Sequence, residues 1–447
     1  MKKIVALLLA AMMMVAVFAG CTKGGDAGTT TGGENAGSGD ATTTDTGFSV
    51  TADDFGDESG ASLKVWGPSA YVSLLKKQTD AFVAMYPDQK IKIKIVAQGE
   101  SDAGTTILQD PEAGADVFGF ASDQLDGLVT AGAISPINAR YAEAVKSTDL
   151  EAAVNASTLK NPDTGEDTLY AFPETGNGYY LVYDKRVVSE DQAGKLEDVL
   201  AACKDAGKKF IMDAGNGFYS CMFVFTGGLS LEGLEEDGIT QKFNDYDEDE
   251  VVATMKAFST LMHEYAGTFQ SLGVDNIPSG FVSTEKRDST CGAGIDGTWD
   301  SAADKEALGE NFGAAKLPTI NVNGEDKQMI SLYGYKMLGI NAATKYPRTS
   351  QILAYYLASE ECQQQRADEL GWDPTNKNVV ESDTVKNDPA LSALVAQSQN
   401  AVPQVSIGKI WDPFATLGNK LNAEETNPAK YNFKKLLADT IASIRDE

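Results

Sequence analysis

Histidine is almost absent: His263 is the only one in 447 residues. A Ser-His-Asp triad, a Cys-His pair or a multi-histidine metal centre would all have to draw on this one ring, so most hydrolytic and metal chemistry is removed. It stands in "AFSTLMHEY", at helical spacing, which predicts a solvated or core-edge side chain. Cysteine is scarce as well. Beyond Cys21 there are Cys203, Cys221, Cys291 and Cys362, widely spaced and without a paired-cysteine motif, so no zinc site follows and free buried thiols are expected. Neither a G-x-x-x-x-G-K-[ST] phosphate loop nor a G-x-G-x-x-G fingerprint follows a strand. Positive charge is the other shortage: 37 Lys and Arg stand against 65 Asp and Glu, a net charge of −28. Repulsion then excludes nucleic acid, anionic membrane and acidic substrates as partners, and leaves neutral ligands open. The acidic run "NDYDEDE" (244–250) lacks the glycine and spaced terminal Glu of a calcium loop, and reads as a helix N-terminus.

What is there begins with Lys2 and Lys3 before an apolar run from Ile4 to Phe18, too short and wrongly flanked for a membrane span. It reads as a signal peptide, 1–20. The run ends in "VFAGC", similar to the lipobox of bacterial lipoproteins, which implies cleavage before Cys21 and lipidation of its thiol. The segment that follows, 21–60 with Cys21, is Gly, Thr, Ser, Asp and Ala with almost nothing to bury, and is expected to be a flexible tether. A coil of this kind spans roughly 35 Å. Such an arrangement suits a protein on the extracellular face of the cell membrane, anchored only through its lipid.

The remaining chain exceeds what one core usually serves, so two lobes are expected. "LKVW", the helical stripe of Leu74, Leu75, Phe82 and Tyr86, the alternation in "KIKIKIVAQ" (Ile91, Ile93, Ile95), "ADVFGF" and the helix from "SDQLDGLVTAGAI" together read as an α/β lobe with a mainly parallel sheet. A second lobe of the same class starts at "YYLVYD". The fold class is therefore α/β, two-lobed, with a ligand cleft facing the strand ends.

The stretches "ADVFGFASDQLDGLVTAGAISPI", "LYAFPETGNGYYLVYDK", "AGIDGTWDSAAD", "AKLPT", "GYKMLGINAATKYP" and "YYLASEECQQQRADELGWDPTN" occur in the order seen in extracellular solute-binding proteins. From Ser62 to the C-terminus the chain resembles the maltose/maltodextrin-binding branch. That resemblance implies a periplasmic-binding-protein-like fold with crossing hinge strands, lobes of 61–176 plus 337–382 and of 177–336 plus 383–447, and hinges near Thr175–Gly178 and Leu332–Lys336. It implies capture of a maltooligosaccharide, delivery to the permease subunits of an ABC transporter, a monomeric state, and neither cofactor nor metal. Gly176, Gly178 and Gly334 are expected to let the hinge backbone change φ and ψ.

By the same resemblance Trp299 and Trp411 are sugar-stacking tryptophans, Asp123 a hydroxyl-binding carboxylate, Phe120 stands where a tryptophan is usual, and Phe218 matches a stacking tyrosine beside Tyr219. Departures are Asn177 and Asn216 in place of glutamates and Gln124 in place of an arginine, with Glu174 able to compensate. They put linkage and chain length in doubt more than the sugar class. Two alternatives stay open: a binding protein for another oligosaccharide or a peptide, and a glycoside hydrolase using a pair such as Glu174 and Asp123 as acid and base.

Overall fold

The computed structural model describes residues 49–235, 240–285, 287–404 and 409–446. The expected signal peptide, Cys21 and the expected tether as far as residue 48 lie outside the described residues. The strands of the two larger sheets are, in chain order, β1 (Ser62–Gly67), β2 (Lys92–Ala97), β3 (Val117–Ala121), β4 (Ala171–Asn177), β5 (Tyr179–Asp184), β6 (Lys209–Ile211), β7 (Phe269–Gln270), β8 (Cys291–Gly297), β9 (Phe312–Ala315), β10 (Ser331–Ile340) and β11 (Ala401–Pro403).

The first sheet runs β11-β10-β3-β1-β2, with β4 also on β10. Its centre is parallel, β1 pairing with both β2 and β3, while β10 lies antiparallel to β3 and β4. The helix Val72–Met85 buries Leu74, Leu75 and Phe82 against it, the stripe the 3.6-residue period predicts. The second sheet runs β7-β6-β8-β5-β9, parallel among β6, β7 and β8, and antiparallel where β5 meets β8 and β9. Each sheet has its own core. Leu63, Val65, Val117, Phe172 and Leu338 gather on the first, and Leu181, Phe210, Phe223, Phe258, Ile295 and Leu417 on the second. The molecule is thus a two-lobed α/β protein.

The chain leaves the first sheet at Asn177, passes Gly178, and enters β5 at Tyr179. It comes back through β10, whose Leu332 belongs to the second core while Leu338 belongs to the first. The glycines at these crossings meet a packing demand in this structure. None of Gly176, Gly178 and Gly334 has positive φ. A Cβ at Gly176 would collide with the Tyr333 hydroxyl and the Asp373 carboxylate, and one at Gly334 with the Gln404 amide, so what these positions require is space.

Two local expectations hold. Asp247 caps the helix Glu248–Glu264 by accepting from the backbone N–H groups of Asp249 and Glu250, as "NDYDEDE" predicts. Cys203, Cys221, Cys291 and Cys362 are free and buried. The ring nitrogens of His263 lie 2.7 and 3.0 Å from the carbonyls of Ser259 and Ala423, so the one histidine ties its helix to a loop. By contrast, the stretch from residue 52 to 60, expected to belong to a tether, is folded onto the first lobe. Phe55 is fully buried in the first core, Asp54 is ion-paired with Arg140 at 2.5 Å, and Glu58 accepts from the backbone N–H groups of Arg348 and Thr349. One buried aromatic and two acidic residues hold this polar segment, and composition averaged over forty residues hides that.

Candidate functional site

β3 ends in a short 3-10 turn, Ser122–Gln124, held at both flanks. The Ser122 hydroxyl accepts from the Tyr335 N–H of β10, and the Gln124 amide accepts from the Gly104 N–H and donates to the Glu100 carbonyl, both at 2.7 Å. Gln124 is therefore committed to the helix Glu100–Gln109. Asp123, between these anchors, remains partly exposed. Burial raises its carboxyl to about 6, against its own backbone N–H and a hydrogen bond from Trp411.

On the second lobe Asn216 is an N-cap whose side chain accepts from the Phe218 N–H at 3.0 Å, starting the one-turn helix Gly217–Ser220. The Ser220 hydroxyl donates to the Phe414 carbonyl at 2.7 Å, docking that turn on the helix Trp411–Asn422. A Cβ on Gly217 would strike the Trp411 carbonyl, so only glycine lets the two backbones meet. The result is an aromatic cluster centred on Phe218. Its ring centroid lies 5.9 Å from Trp299, 6.3 Å from Trp411, 5.2 Å from Tyr179 and 5.6 Å from Tyr219. Phe218, Trp299 and Trp411 keep exposed surface, whereas Tyr179 and Tyr219 form a buried floor. Trp299 folds back over Gly297, where a Cβ would overlap the indole.

The residues named from the sequence divide accordingly. Asp123, Phe218, Trp299 and Trp411 come together. Asn216 is exposed beside them, but its side-chain oxygen is used as a cap. Asn177 is nearly buried at the crossing, paired with Gly334. Tyr219 is 2% exposed, with its hydroxyl unpartnered. Two assignments are corrected. Phe120 is 0% exposed, its ring tilted against that of Phe118 at 5.3 Å inside the first lobe, and has no surface to offer a ligand. Glu174 is 2% exposed and faces Arg366, itself buried, at 3.8 Å. Burial raises Glu174 to about 7, with Arg366 opposing. The acid–base pair of Glu174 with Asp123 is therefore not assembled in one solvent-reached site.

The sequence reading missed Lys336 and Glu100. Lys336, on β10, is ion-paired with Glu100 at 2.7 Å, and its ammonium lies over the rings of Trp299 at 5.7 Å and Trp372 at 5.2 Å. A lone lysine in an apolar strand, "GYKMLGI", was the available signal. Asp373 also lies by the crossing, where Tyr333 donates to its carboxylate, and burial raises it to about 6. Among the described residues no group of His, Cys, Asp and Glu is arranged to hold a metal ion.

An aromatic shelf with a carboxylate opposite, between two α/β lobes, can hold an uncharged ligand with apolar faces and a hydroxylated rim. The family model of the bacterial extracellular solute-binding protein matches residues 77–393. The chain belongs to that family. Relatives of this solute-binding protein include the maltotriose-binding protein of Pyrococcus abyssi, 22% identical over 355 residues, which span 76% of this chain and 72% of the relative. Its fold matches a structure solved with acarbose, at 29% identity and a TM-score of 0.75, covering 86% of this chain and 98% of the other. It also matches a ligand-free maltodextrin-binding protein from L. casei BL23, at 24% identity and a TM-score of 0.70, over 86% of this chain and 99% of that one. The maltotriose-binding protein of Thermus thermophilus gives a TM-score of 0.70 at 18% identity, with the same coverage.

Proposed function

We propose that this solute-binding protein captures maltooligosaccharides between its lobes and hands them to the permease subunits of an ABC transporter. The observation that carries the reading is the partly exposed trio of Phe218, Trp299 and Trp411 with Asp123 set against it. Aromatic faces match the apolar C–H faces of glucose rings, and the carboxylate accepts from hydroxyls at the ring edge. Relatives that bind maltotriose support the sugar class. The commitment of Gln124 to its own lobe, in place of an arginine, supports a linkage or length preference of its own.

The same reading takes the lobes as 61–176 plus 337–382 and 177–336 plus 383–447, in keeping with the separate cores. It includes monomeric action and an extracellular lipid anchor at Cys21. Calorimetric titration with maltose, maltotriose and longer α-1,4 and α-1,6 oligosaccharides tests it. Saturable micromolar or tighter binding of an α-1,4 series is expected, and no heat with any α-glucan would overturn the sugar assignment. Incubation that shortened the oligosaccharides would replace a carrier with a hydrolase.

A further inference from the structure

Lys336 and Glu100 form a pair that the fold leaves incomplete. Both side chains are largely withdrawn from water, 10% and 6% exposed, and they meet at 2.7 Å. Removing two charges from water is costly unless the remaining lone pairs and protons also find partners. Here one lone-pair site does not: Glu100 Oε1 is buried with no hydrogen-bond partner, whereas the ammonium is met by Oε2 of the same carboxylate and lies over the rings of Trp299 and Trp372.

The position of the pair says what would complete it. Lys336 lies over the indole of Trp299, which keeps exposed surface at the shelf, and near enough to Asp300 to oppose the rise that burial and the charge of Asp275 give its carboxyl. The lysine thus touches second-lobe groups while its strand pairs with β3 and β4 of the first. Glu100 opens the helix Glu100–Gln109, fixed by the Gln124 bond to its carbonyl. Gly119 lies beside the pair, a Cβ there falling at ordinary contact distance, 3.6 Å from Glu100 Cγ and 3.7 Å from a Glu174 oxygen.

Resting on the sugar reading above, we infer that Lys336 and Glu100 together recognise two neighbouring hydroxyls of the glucan unit beside Trp299. One hydroxyl accepts from the Lys336 ammonium and the other donates to Glu100 Oε1. The pair is then a specificity device, selecting the orientation of a vicinal diol where stacking on an indole alone is indifferent to hydroxyl configuration.

The test titrates maltotriose and its singly deoxygenated derivatives into wild type, Lys336→Met and Glu100→Gln, with thermal unfolding of each. Wild type should bind maltotriose and lose about tenfold or more with one or two adjacent deoxy positions. The same positions should matter little in either variant, while the other positions keep their effects. Lys336→Arg should recover part of that selectivity. Should a variant fail to fold, the wild-type deoxy series decides alone: a uniform response across all positions overturns the proposal. Wild type that binds normally, with Lys336→Met within twofold and an unchanged deoxy profile, also overturns it while leaving the sugar reading intact. Absence of α-glucan binding by wild type removes both.

Discussion

Trp411 reaches across to Asp123 closely enough to favour its charged carboxylate, and the two residues belong to different lobes. Trp411 packs against the core of the second sheet, and Asp123 follows β3 of the first. The contact spans the space that the proposed ligand would share.

That pairing makes a spectroscopic prediction. Burial raises Asp123 to about 6, so its carboxylate gains a proton as pH falls through that value and becomes a poorer acceptor for the indole. Tryptophan fluorescence of the unliganded protein should show an inflection near pH 6, absent in Asp123→Asn and in Trp411→Phe. Asp373 rises to about 6 as well and adjoins Trp372, so Asp373→Asn serves as the control that should keep the inflection. A flat profile between pH 5 and 7 would separate Trp411 from Asp123.

Trp299 and Phe120 should behave in opposite ways when cut to alanine. If the exposed indole covers about 100 Å² of sugar, Trp299→Ala loses about 2.5 kcal/mol of burial at about 25 cal/mol per Å², or about sixty-fold in affinity. Its stability cost should stay near 1 kcal/mol, since the ring is only partly buried. Phe120→Ala empties a site with no exposure and should cost about 3–5 kcal/mol of stability with near-native affinity. Calorimetry and urea unfolding on both variants measure this, and matching affinity losses would return Phe120 to the cleft.

The difference between these residues shows where sequence reading stops. The helix of Leu74, Leu75 and Phe82 and the cap at Asp247 were legible because each follows from local spacing and local hydrogen bonding. Trp299 and Trp411 could be named from resemblance, but their meeting at Phe218 depends on a backbone contact between Gly217 and Trp411, far apart in the chain. Phe120 and Glu174 sit on strands whose burial is decided by which neighbours pair with them. β10 lies antiparallel beside both, and no periodicity announces that. Lys336 escaped notice for the related reason that its partners, Glu100, Trp299 and Trp372, come from three distant segments.

Stability should rise as the solution is acidified from pH 8 toward pH 5. Asp296, Asp300 and Asp304 crowd the end of β8 and the helix after it. Asp296 and Asp304 are fully buried, and Oδ2 of Asp296 and both carboxyl oxygens of Asp304 have no hydrogen-bond partner, which disfavours the charged forms. Burial, with the like charge of Asp300 second and Lys305 opposing, raises Asp304 to about 8. Burial and the charges of Asp304 and Asp300 raise Asp296 well above the carboxylate range. Lys305 gives only partial relief because it is ion-paired with Asp388. An unfolded aspartate releases its proton near pH 4. Between that value and about 8 the native state holds a proton that the unfolded chain has lost, so native stability declines with rising pH by about 1.4 kcal/mol per pH unit for each proton retained. Glu174, raised to about 7, adds in the same direction, as does self-repulsion at a net charge of −28. Urea midpoints measured from pH 5 to 8.5 should fall steadily, and Asp304→Asn should flatten the slope. A midpoint that is constant or climbs across this range would mean the three carboxylates are ionised and solvated in the folded protein.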